Sequence, residues 1–253
     1  MKKNKYRGVI PISDLTYNRL AECIRDISEE RRITGHAVSV VSARSLSSKE
    51  SIGDPERTDF PLIKGKEVMV EATFDGAKGQ AFTDMPGDFN GTLEDVLRME
   101  PSNNFRRAVF VSTLNAVLRS LEIIDITVHC KDEEPERCAE QMVDYVGSRF
   151  PNPRIGFIGL QPAMVDHLGR HFPIRVTDLD SENVGKSKYG VFIEDVDKTA
   201  EVIDWCTVIF ATGSTFVNNT HRTLLNGKPL VFYGVTGAGI AYLTDAHVYC
   251  HAH

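Results

Sequence analysis

Apolar positions recur along this chain with two periods, and the change from one to the other divides it. Leu15, Leu20, Cys23, Ile24 and Ile27 fall at helical spacing, with Ser13 or Asp14 ahead of them as an N-cap. Residues 37–43 and 67–74 are rich in β-branched side chains and read as strands. Between them lies a polar stretch holding Ser45, Ser47, Ser48, Ser51, Gly53 and Pro55. Loops of that length are uncommon in a compact domain and often carry function. Helices are predicted at 92–98 and 105–121. The second is apolar on most of its circumference (Ala108, Val109, Val111, Ala116, Leu118), which predicts burial on all sides.

From residue 123 the pattern alternates. A helix over 138–149 turns Met142, Val143 and Val146 inward. Apolar runs at 155–158, 174–177, 191–193, 207–211, 230–233 and 247–249 then alternate with helical stretches, as in a parallel, doubly wound sheet. The expected fold class is α/β. Residues 1–122 should form a small α+β domain and 123–253 a parallel-sheet domain.

Open sheets of this kind bind ligands outside the carboxyl ends of their strands. There the run from 207 opens into Thr212, Gly213, Ser214 and Thr215. A helix predicted over 217–225, closed by Asn226 and Gly227, follows them, and its N-terminus could hold an anionic or polar group. The strand at 155 ends with Gly156 and Gly159, a partial glycine turn and not the full G-x-G-x-x-G pattern. The next strand ends in Asp178 and Asp180, where a ribose-binding carboxylate falls in dinucleotide sites. Gly234, Gly237 and Gly239 follow the strand at 230, and glycine allows close backbone approach. Singly, each is an ordinary turn. Together on one edge they predict a cleft.

A net charge of −6 argues against nucleic acid as a partner. No apolar run is long enough for a bilayer, so no membrane partner is expected. The basic start at residues 1–7 lacks a following apolar region, and the five cysteines are irregularly spaced. Both point to a cytoplasmic location. The expected partner is a small molecule, with homo-oligomerisation left open and no cofactor specified. There is no G-x-S-x-G elbow or P-loop. Acid and base candidates are Asp178, Asp180, Glu71, Asp75 and Asp84, with Lys78 as an anion anchor and Cys206 as inert core. His247, Cys250, His251 and His253 are potential metal donors but read as a polar tail. His167 and His171 read as an exposed helix face, so no fixed metal site is expected.

Three segments carry a family resemblance: 79–83, 112–116 and 211–220 followed by Leu224 and Leu225. Through them nearly the whole chain resembles the heavy-metal-chelation family of domains of unknown function. The resemblance implies an enolase N-terminal-like domain paired with a Rossmann-like domain and a site between the two. It adds Gly79, Asn115 and Asn218 to the ligand-binding candidates Lys78, Gly156, Gly159, Asp178, Asp180, Thr212, Gly213, Ser214, Thr215 and Gly234, while Lys78 itself has no counterpart in the family pattern. The implied activity is condensation or hydrolysis of pterin-, flavin- or siderophore-like chelators. The leading expectation is therefore a cleft that binds a small anionic or heteroaromatic metabolite. Two others compete with it: a non-catalytic module for a metabolite or metal complex, and an S-adenosylmethionine- or nucleotide-dependent enzyme.

Overall fold

Two sheets organise the chain in the computed structural model, which describes residues 5–42, 48–65 and 67–250. The first is antiparallel and four-stranded, in the order β3-β2-β1-β4. It is built from β1 (Ala37–Ser42), β2 (Val68–Phe74), β3 (Ala77–Thr83) and β4 (Phe89–Thr92), preceded by α1 (Tyr17–Arg31). Between β1 and β2 the chain makes an excursion carrying α2 (Ser48–Ile52) and α3 (Pro61–Lys64). Then come α4 (Leu93–Arg98), α5 (Asn104–Ser120) and α6 (Glu134–Arg149).

The second sheet has seven strands in the order β11-β10-β9-β5-β6-β8-β7. Its elements run β5 (Ile155–Ile158), α7 (Pro162–Gly169), β6 (Ile174–Asp178), β7 (Ser187–Lys188), β8 (Val191–Asp195), α8 (Thr199–Trp205), β9 (Val208–Thr212), α9 (Ser214–Val217), β10 (Leu230–Tyr233), α10 (Ala238–Leu243) and β11 (His247–Tyr249). All pairings are parallel except β7 with β8. Each central strand is buried on both faces, which explains the unbroken apolar runs in the sequence. The α/β class expected from the sequence is the class observed.

Several details differ from expectation. The N-cap of α1 is Thr16, whose side chain accepts from Arg19 N, while Ser13 and Asp14 sit in a 3-10 turn ahead of it. The strand β3 escaped the sequence reading because it holds few β-branched residues. Asp75 and Gly76, at φ 46° and 78°, fold it back onto β2 from Phe74↔Ala77 to Val68↔Thr83. The helix expected over 217–225 is absent. The chain makes the single turn α9, passes Asn219 at φ 59° and finishes in a 3-10 turn over His221–Leu224. By contrast α5 is as predicted, with every residue from Ala108 to Leu118 buried. It lies between β2 and β3 on one side and α9 and α10 on the other.

Candidate functional site: a cavity on the carboxyl edge of the parallel sheet

β5 is where the strand order reverses: β6 and β8 lie on one side of it, β9, β10 and β11 on the other. The turns after β5 and β9 therefore diverge, and a crevice opens between them. A cavity of about 690 Å³ fills that crevice. Its floor includes Gly159, Leu160 and Gln161 after β5, Asp178 to Asp180 after β6, Thr212, Ser214 and Thr215 after β9, and Gly234 after β10. The excursion supplies another wall through Ile52, Asp59, Phe60, Leu62 and Lys64, and β3 adds Phe82 and Thr83.

Of the thirteen ligand-binding candidates, Gly159, Asp178, Asp180, Thr212, Ser214, Thr215, Asn218 and Gly234 line this cavity. Gly159 and Gly234 hold φ of 89° and 74°, which other residues adopt only under strain, and open space faces Gly234. Thr212 to Thr215 are bonded largely among themselves. Ser214 N and the Thr215 hydroxyl donate to Thr212 Oγ1 and O at 3.2 and 2.8 Å, and the Thr212 hydroxyl donates to Ser214 Oγ at 3.2 Å. Asp178 is likewise engaged by the protein. Leu160 N reaches Oδ2 at 2.6 Å, and Asp180 N and Asn183 Nδ2 reach Oδ1 at 2.8 and 3.0 Å. Its carboxylate holds the turns after β5 and β6 in register.

Five candidates stand elsewhere, three of them for packing reasons. Gly156 faces α8, where a Cβ would meet Cys206 and Val202. Gly213 has an ordinary φ of −59°, but a Cβ there would run into the Gly237 backbone. Gly79 presses β3 against α5, where a Cβ would strike the backbone of Ser112 and Ala116. Lys78 pairs with Glu71 at 2.8 Å outside the cavity. Asn115 is fully buried. Its Nδ2 donates to the carbonyls of Gln80 and Val235 at 3.1 Å each, and its Oδ1 accepts from Gly239 N at 2.9 Å. It bolts β3 to the turn after β10 and to α10. The other acid candidates separate too. Glu71 is buried against Gln80, Asp75 meets His36 at 2.7 Å on an exposed face, and Asp84 alone reaches the cavity, where Asn104 donates to it at 2.6 Å.

Sequence reasoning missed Glu67. It sits on the cavity wall, and among the described residues it makes no hydrogen bond or ion pair. Burial raises its carboxyl to about 7, with the Asp178 and Asp84 carboxylates adding to the shift. A carboxyl at that value exchanges protons readily at neutral pH. The sequence signal was faint: a lone Glu at the head of a strand.

Around Glu67 the cavity is acidic. The described lining holds six carboxyl groups (Asp59, Glu67, Asp84, Asp178, Asp180, Glu182) against two lysines, Lys64 and Lys188. His129, Cys130, Cys138 and Cys250 line the end beneath β11. Burial pushes the Cys130 thiol up to about 12. Among the described residues no group of three or more His, Cys, Asp and Glu side chains is arranged to hold a metal ion. His167 bonds Glu136 at 2.9 Å and His171 bonds the His167 carbonyl at 2.8 Å, so the two do not converge as ligands. His251 and His253 lie outside the described residues. Among those residues, too, no helix is long and apolar enough to cross a membrane.

Fold and cavity define an α/β protein whose parallel sheet carries a lined, acidic crevice where its strand order reverses. Residues 141–245 match the sequence profile of the DUF364 family, described as "Putative heavy-metal chelation", so the resemblance read from the sequence holds over that segment. A protein of unknown function from the DUF364 family of Pyrococcus horikoshii has a similar structure: TM-score 0.52 at 17% identity, covering 87% of this chain and 79% of that one. A second, from Desulfitobacterium hafniense DCB-2, gives a TM-score of 0.44 at 12% identity, covering 65% and 67%. No curated protein matches the chain.

Proposed function

We propose that the cavity binds a small heteroaromatic metabolite that is neutral or positively charged, and that Glu67 exchanges a proton with it in the metabolism of a metal chelator. One observation carries this reading: an apolar, hydroxyl-studded cavity of about 690 Å³ whose described lining holds six carboxyl groups and two lysines. Desolvated carboxylates repel anions and favour cationic groups. Of the two ligand types first expected, the heteroaromatic is therefore retained and the anionic set aside. Gly159, Asp180, Thr212, Ser214, Thr215, Asn218 and Gly234 are proposed as its contacts, with the chain divided into 1–122 and 123–253. The metal then arrives with the ligand.

S-adenosylmethionine, with its sulfonium charge, belongs to the same chemical class and is the second reading. Dinucleotides, carrying a pyrophosphate, do not. Thermal denaturation with a panel of pterins, flavins, S-adenosylmethionine, nucleotide phosphates and divalent metals tests the proposal. A ligand at about 100 times its Kd stabilises the fold by about 2.7 kcal/mol. The expected result is a higher Tm with a pterin or S-adenosylmethionine and none with ATP or NAD. Stabilisation by the phosphates alone, or by nothing in the panel, defeats it. Binding without turnover of the bound compound would favour the non-catalytic module.

A further inference from the structure

The excursion between β1 and β2 is not needed by the small sheet, because those strands pair directly from Val38↔Phe74 to Ser42↔Val70. It is also bonded to the parallel-sheet half. Asp132 N donates to Ile52 O at 2.8 Å, Asp54 N to Asp132 Oδ1 at 2.9 Å and Glu56 N to Glu133 Oε1 at 3.1 Å. Ile52, Phe60 and Leu62 are buried in the same core as Leu160 and Met164. The same segment lines the cavity.

Its central anchor is Arg57. Nη2 donates to Asp166 of α7 at 2.8 Å. Nε lies 3.4 Å from Asp59 and Nη1 3.6 Å from Glu136 of α6, both too long for good hydrogen bonds. Arg57 Nη1, Asp59 Oδ1 and Glu136 Oε2 are buried with no hydrogen-bond partner. Tyr189, between β7 and β8, lies under the guanidinium at 5.4 Å and donates to Asp59 at 2.6 Å. Arg170 braces Asp166 at 2.5 Å and His167 braces Glu136 at 2.9 Å. The apolar residues of the segment are buried, but its anchor is a charged cluster in which three polar atoms lack hydrogen-bond partners, which suits a joint that is made and broken.

We propose that residues 48–65 are a strap that lifts off the carboxyl edge to admit the ligand, and that the Arg57 cluster is its latch. The inference rests on the cavity reading only for what enters, and the motion itself is testable with no ligand present. Hydrogen exchange reports the strap. Alkylation by N-ethylmaleimide, mapped residue by residue, reports the cavity through Cys138, which is buried and lines it. Cys23 and Cys206, buried away from the cavity, report global unfolding.

Arg57→Gln leaves three carboxylates facing one another without their shared cation. Exchange over 48–65 and alkylation of Cys138 should each speed up at least about tenfold, with Cys23 and Cys206 unchanged. Unchanged exchange over 48–65 overturns the latch. If all the cysteines accelerate together, the fold itself has been lost, and the milder Tyr189→Phe decides by the same readouts. A strap no faster in that variant also overturns the proposal. A failed ligand panel alongside a loosened strap would reject the ligand reading and leave the gate standing.

Discussion

Glu67 gives the cavity a pH dependence whose sign follows from its environment. Its carboxyl titrates near 7 in the fold against an ordinary value of 4.5 in the unfolded chain, because burial and two neighbouring carboxylates disfavour the charge. Between those values the native state holds the extra proton, so stability falls as pH rises from about 4.5 to about 7. Above that the penalty is fully present, at about 3 kcal/mol. Glu67→Gln should therefore change stability little at pH 4 and raise it by about that amount at pH 8.5, measured by urea denaturation. A variant whose difference from the native chain is the same at both pH values would show that Glu67 titrates normally. Such a residue was not legible in the sequence, since nothing in the run from Glu67 to Phe74 says which carboxyls will face Glu67 across the fold. Asp178 shows the converse. Its position at a strand end was readable, but one of the backbone amides that occupy it, Leu160 N, comes from the turn after β5, and the other, Asp180 N, from its own turn.

At the level of elements, the sequence was clear wherever one period ran long enough. The apolar circumference of α5 predicted its burial, and the six apolar runs of the second half all became strands. It failed where tertiary contacts choose the conformation. β3 forms because a tight Asp75–Gly76 turn and the flank of α5 hold it, and 217–225 does not become a helix because Asn219 turns left-handed. Asn115, in the middle of α5, served well as a marker of contact between the halves, where it bolts β3 to the turn after β10 and to α10. Replacing it with Ala leaves Gly239 N and the carbonyls of Gln80 and Val235 without this partner in a dry interior. The expected loss is about 3 kcal/mol, read as a lower urea midpoint with unchanged slope. A loss within about 0.5 kcal/mol would mean that the three backbone groups have other partners.

Across the whole molecule, the two sheets share one interior. Leu20, Ile24 and Val109 belong to the same buried cluster as Phe216, Ile240 and Leu243. Ile10 bridges to Thr244, and the Tyr17 hydroxyl donates to Phe216 O at 2.8 Å. A division at residue 122, natural from the change of pattern in the sequence, does not make two independently melting bodies under these contacts. Calorimetry should give a single transition with equal calorimetric and van't Hoff enthalpies. Two resolved transitions would show that the shared interior is weaker than its continuity implies.

The direct pairing of β1 with β2 has a consequence for how this architecture diversifies. Register in the small sheet is set by the strands themselves, so the chain looped out between them can change in length without disturbing the pairing of β1 with β2. That loop also lines part of the cavity. Variation confined to it therefore reshapes the cavity while the register of the small sheet stays constant.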